Sequence, residues 1–111
     1  MMRTPRPHPA LVAAALLALA GCGAREHQPE RHTVVIRNFL FVPAAEAVRE
    51  GDEVLFLNHD AVPHTATAAD RSWDTGNIPA NGSAVVRVGK AGTYKCAYHP
   101  TMTGSITMAG K

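Results

Sequence analysis

The chain has 111 residues, 46% of them hydrophobic, with eleven Lys/Arg, nine Asp/Glu, six His and two Cys. That length points to one domain. Two of the basic residues, Arg3 and Arg6, lie in a leader-like N-terminal stretch, so the remaining 90 residues carry nine basic against nine acidic side chains and keep no Lys/Arg cluster able to follow a phosphate backbone; nucleic acid is excluded as a partner.

Residues 1–21 combine the basic start with an apolar run from Ala10 to Ala20, eleven residues, which suits a signal h-region. A spanning helix needs roughly 20. The run ends in Leu19-Ala20-Gly21-Cys22, which resembles the bacterial lipobox, where small residues admit the peptidase and the Cys thiol takes a lipid. The expectation is a removed signal peptide over 1–21, a lipid on Cys22, and anchoring to a bacterial membrane with the domain facing the periplasm or the cell exterior. Residues 23–32, GAREHQPERH, are charged, contain Pro29 and lack apolar periodicity. With Cys22 they read as a flexible tether over 22–32, with His27 and His32 solvated.

From Thr33 to Lys111 no helical period appears, and short β-branched or apolar runs alternate with turn chemistry. Strands are predicted over 33–38, 47–49, 53–58, 65–68, 83–88, 93–96 and 105–108. Turns fall at Glu50-Gly51-Asp52, 77–79, Asn81-Gly82 and Lys90-Ala91-Gly92. Ile36 and Phe39 are out of strand parity, which predicts a bulge or bend near Asn38. Residues 44–47 could form a short helical turn instead of extended chain. Seven to eight short strands at this spacing predict an all-β fold, a Greek-key β-sandwich.

Between the last two predicted strands stands Cys96-Ala97-Tyr98-His99-Pro100-Thr101-Met102. A thiol, an imidazole three residues on and a thioether three further make a loop that can wrap a soft metal. Two His and one Cys in a trigonal set with a weak axial Met suit copper. Zinc prefers Cys, His and carboxylate, so Met102 argues against it. The second His has to come from elsewhere. His64, after Pro63 and before a strand, is the best candidate; His59, in the turn Asn58-His59-Asp60, is its competitor. A disulfide between Cys22 and Cys96 is disfavoured, because each Cys has a more specific use and the bridge would tie the chain start to a strand end.

The segment 36–67, IRNFLFVPAAEAVREGDEVLFLNHDAVPHTAT, resembles the first half of plastocyanin/amicyanin-type cupredoxins, with Phe39, Phe41, Pro43, Val48, Gly51-Asp52, Val54, Phe56, Asn58, Asp60 and His64 in matching places. The second half agrees through Thr75-Gly76, Ile78, Gly82-Ser83, Ala91-Gly92-Thr93-Tyr94, Cys96, His99, Met102 and Gly104. The resemblance covers residues 33–111 and implies a cupredoxin domain with one type 1 copper ion on His64, Cys96, His99 and Met102. The loop looks like the short amicyanin form. Two departures stand out. Only Lys95 separates Tyr94 from Cys96 where the family commonly has a further pair, a change that keeps both residues on one face. Thr65 also stands where relatives often have Asn.

The resemblance implies a one-electron carrier, with His99 as the electron exit and a redox partner docking on small apolar residues such as Val62, Pro63 and Pro100. A copper storage or delivery lipoprotein would use the same ligands; a single Met at the site favours the carrier. A β-sandwich assembly module without metal leaves Cys96 and His99 unexplained. No open ligand position or acid–base pair is evident, so no enzymatic activity is expected. Trp73 reads as structural, and the domain is expected to be monomeric.

Overall fold

The computed structural model describes residues 28–110. The proposed leader, Cys22 and His27 lie outside the described residues. Eight strands run in order: β1 (Arg31–Arg37), β2 (Leu40–Val42), β3 (Ala45–Val48), β4 (Glu53–Asn58), β5 (Thr67–Ala68), β6 (Ser83–Arg87), β7 (Gly92–Cys96) and β8 (His99–Met108), with no helix among the described residues. They form two four-stranded sheets, β2-β1-β4-β6 and β3-β8-β7-β5. Each sheet is mixed: β1 runs parallel to β4 and β3 parallel to β8, and the other pairs are antiparallel. This is the all-β sandwich expected from the sequence.

Period-two patterning explains how the sheets face each other. In β4 the residues Val54, Phe56 and Asn58 are buried while Glu53, Leu55 and Leu57 are partly exposed. Val34, Ile36 and Phe41 point the same way from their own sheet, and Val48, Tyr94, Cys96, Met102 and Ile106 meet them from the other. At the centre Phe56 stacks on Trp73 at 5.9 Å and meets Tyr94 edge-on at 5.5 Å. Trp73 is thus a packing residue. Burying this apolar surface is the main force closing the sandwich.

The structure corrects several boundaries. The bend near Asn38 is a two-residue turn: Arg37 pairs with Leu40, and Asn38 and Phe39 both have positive φ. The turn creates β2, which sequence reading missed. Residues 45–48 are strand rather than a helical turn, because pairing with 105–108 of β8 supplies their hydrogen bonds. β8 starts at His99 rather than Ser105, since a two-residue connection lets His99 pair directly with Cys96. The register shift beside Lys95 leaves Tyr94 and Cys96 buried on one face, as the shortened strand requires.

β1 also starts earlier than expected, so His32 is a strand residue rather than a solvated tether residue. Its Nε2 is 2.8 Å from Asp52 Oδ2 and its Nδ1 3.2 Å from Glu46 Oε2. Buried Asp52 also accepts the amide hydrogens of Glu30 and Arg49, both at 3.0 Å. The Asp52 hydrogen bond raises the His32 pKa above its ordinary value, against the lowering effect of burial, and the Asp52 and Glu46 charges add to the rise.

Candidate metal centre

Three segments converge at the end of the sandwich where β1 and β4 finish. β7 delivers Cys96 at its last residue, fully buried. The next strand opens on His99, partly exposed. His64 comes from the connection between β4 and β5 and is completely buried. Its backbone is fixed from both sides, with His64 N donating to Ile78 O at 3.1 Å and Ile78 N to His64 O at 2.7 Å. Buried Asn58 shapes the connection: its Nδ2 donates to Val62 O at 2.9 Å, and its Oδ1 accepts the Asp60 amide hydrogen at 2.9 Å.

Cys96 Sγ lies 3.8 Å from His64 Nδ1 and 3.6 Å from His99 Nδ1, and the three donor atoms lie within 4.8 Å of one another. Metal bonds of about 2.0–2.3 Å, splayed tetrahedrally or trigonally, put donors roughly 3.6–3.8 Å apart. A thiolate and two imidazoles so placed can hold a transition-metal ion with little rearrangement. Met102, three residues after His99 on β8, is buried at 4% exposure. His59 is exposed, and its ring lies 3.4 Å from the Arg37 guanidinium.

Bonds around the donors prepare them. His64 Nε2 is 2.8 Å from Asp60 Oδ2, so a proton there leaves the Nδ1 lone pair aimed at the sulfur. Burial alone would raise the Asp60 pKa, but the amide hydrogens of Phe39 and Asn38, followed by His64, outweigh it and hold the carboxyl below its usual range. Thr65 N donates to Cys96 Sγ at 3.3 Å, a bond that fixes the position of the sulfur. Thr65 Oγ1 accepts the Ala97 amide hydrogen at 2.8 Å and lies 3.0 Å from Thr67 Oγ1, which donates to Asp74 Oδ1 at 3.0 Å. The hydroxyl at Thr65 thus joins the His64 segment to the Cys96 turn, and Asp74 anchors the chain of bonds.

Sequence reading missed the parts played by Asp60, Thr67 and Asp74. The spacing of Asp60, four residues before His64, was the available signal. A second group, Glu30, His32 and Asp52, also brings possible donor atoms within 4.8 Å. There both ring nitrogens already face carboxylates, an ion-pair arrangement.

No protein-family model matches the chain, and no curated protein does. Solved structures do. A purple cupredoxin from Nitrosopumilus maritimus superposes with a TM-score of 0.63 at 20% identity, covering 70% of this chain and 99% of that one. An oxidised amicyanin mutant gives 0.62 at 21% identity, covering 70% and 81%. A reduced Cu(I) form of another amicyanin mutant gives 0.61 at 22% identity with the same coverage. The described domain therefore has the cupredoxin fold.

Proposed function

We propose that the domain holds one copper ion as a type 1 centre and serves as a one-electron carrier. The observation that carries this reading is the convergence of Cys96 Sγ with His64 Nδ1 and His99 Nδ1 at metal-ligand spacing. Cys96 would bind as thiolate, His64 and His99 through Nδ1, and Met102 as the weak axial ligand. When bound, the copper supplies a Cu(I)/Cu(II) couple. The protein's share is to hold those donors still. Buried Cys96 and His64, each hydrogen-bonded, and a His99 that begins a strand leave little to rearrange between oxidation states.

His99 is the donor that reaches the surface, and exposed Val62, Pro63 and Pro100 belong to the segments around it. This would suit brief docking of a redox partner, with Tyr98 and Phe39 adding exposed apolar surface. The similar solved structures include a Cu(I) protein, which supports the choice of metal. A lipid on Cys22 would keep the carrier at a membrane, a reading supported by the lipobox-like ending of the leader.

Stopped-flow electron exchange run beside competition with a copper(I) chelator tests the carrier reading against delivery. A carrier keeps its copper through repeated oxidation and reduction at neutral pH and exchanges electrons quickly. Rapid loss of Cu(I) with slow exchange would overturn the carrier reading in favour of delivery.

A further inference from the structure

We propose that Phe39 is a positioning residue for the His99 imidazole, giving that ring the orientation that Asp60 gives His64. The inference rests on the metal-site reading above and deepens it.

Phe39 stands where its side chain does not suit the backbone. The two-residue turn joining β1 to β2 puts positive φ at both of its residues, 53° at Asn38 and 61° at Phe39. Turns of this kind favour Asn, Asp and Gly. Asn38 fits. A bulky aromatic at φ 61° crowds its Cβ against the backbone and is a true outlier. The fold does not need it for the core: Phe39 is 46% exposed and lies outside the buried hydrophobic cluster. Asp60 holds the strained turn in place, with Oδ1 accepting the Asn38 amide hydrogen at 2.6 Å and Oδ2 that of Phe39 at 2.9 Å.

What the strained position achieves is contact with both imidazoles. The Phe39 ring centroid lies 5.0 Å from His64 at 90° and 4.9 Å from His99 at 89°, the favourable edge-to-face arrangement in each case. The two rings differ in their other support. His64 is buried, clamped through its backbone and bonded to Asp60. His99 is partly exposed, and among the described residues the one hydrogen-bond contact of its ring is Nδ1 facing Cys96. Its orientation is therefore left to packing, and Phe39 stands closer to it than His64 at 5.2 Å or Tyr98 at 6.5 Å. One carboxylate thus serves both donors: Asp60 holds His64 directly and His99 through Phe39. Local strain kept at a site is expected where the strained residue has such a task.

The test compares full-length wild type, Phe39→Asn and Phe39→Leu in copper-loaded and copper-free forms. Asn tolerates positive φ and removes the ring; Leu keeps the strain and apolar bulk without the aromatic edge. The expected result for Phe39→Asn is copper-free melting at or above wild type, a displaced thiolate-to-copper band, and loss of Cu(I) to a chelator about twofold to tenfold faster, the worth of one aromatic contact. Phe39→Leu should melt no higher than wild type and lose Cu(I) at an intermediate rate. Should Phe39→Asn melt lower while its band and Cu(I) loss stay at wild-type values, Phe39 is a packing residue and the proposal is overturned. A wild type that shows no thiolate-to-copper band overturns the metal-site reading itself, before any variant is compared.

Discussion

Gly104 shows how one absent methyl group makes room for an aromatic ring from the neighbouring strand. It is buried on β8 opposite Tyr94 of β7, and a Cβ there would sit 2.4 Å from the Tyr94 ring and hydroxyl. Tyr94 is itself 1% exposed and wedged against Phe41, Phe56 and Trp73, so it cannot swing away. Gly104→Ala should destabilise the domain by about 1–3 kcal/mol, the usual cost of overpacking. Gly92→Ala, where an added Cβ meets nothing within 4 Å, should change stability by less than about 0.5 kcal/mol. Denaturant melts of both variants check this; equal losses would contradict it. Chemistry-bearing residues were the most legible at this scale. Cys96 and His99 declared themselves through unusual side chains at short spacing, and His64 through its place between Pro63 and a strand. Thr67, Asp74 and the Phe39 contacts stayed hidden because turns and irregular connections bring them together, and common polar or apolar residues carry no local mark of such pairing.

At the scale of elements, His32 ties the two sheets together, since it sits on β1 while Glu46 belongs to β3 of the opposite sheet. Asp52 faces it from the turn before β4, with Glu30 beside them. The folded pKa of His32 lies above its ordinary 6.5, with the Asp52 bond first among the causes. A raised folded value means the stabilisation is fully present below the unfolded pKa and is lost as pH rises through the folded one. Wild type should therefore lose melting temperature above about pH 6.5 relative to His32→Gln, by on the order of a few degrees. Parallel melting curves from pH 5.5 to 9 measure it, and a constant gap between the two proteins would count against the staple. Strand β4 was legible because its alternation spans six residues. β2 was not, being three residues long behind a turn that Phe39 disguises. The start of β8 was obscured by Pro100, which reads as a break yet here sits in the strand. His32 misled because its charged neighbours look like linker, whereas Arg31 and His32 pair in parallel register with Glu53 and Val54.

Across the whole molecule, β1 carries the chain from the His32 end to the turn beside the metal-binding residues, about 20 Å along a seven-residue strand. A lipid on Cys22 would then hold the sandwich by the end remote from His99, leaving the apolar surface near that residue open to a partner. Cys22→Ser should yield unprocessed precursor or a soluble product, while wild type partitions with membranes and carries the acyl mass. An unacylated mature wild type would rule the anchor out. The overall architecture was legible because turn chemistry and strand lengths leave few ways to bury so many short strands; the pairing order was not, since β1–β4 and β3–β8 join strands that no short turn connects. The central claim is the copper centre, and its most direct test is the absorption and electron paramagnetic resonance spectrum of the purified protein with one equivalent of Cu(II). The account predicts an intense visible thiolate-to-copper band and a narrow copper hyperfine splitting, with the band lost in Cys96→Ser and kept in Met102→Leu at a shifted reduction potential. A colourless wild type that takes zinc in preference to copper would contradict it.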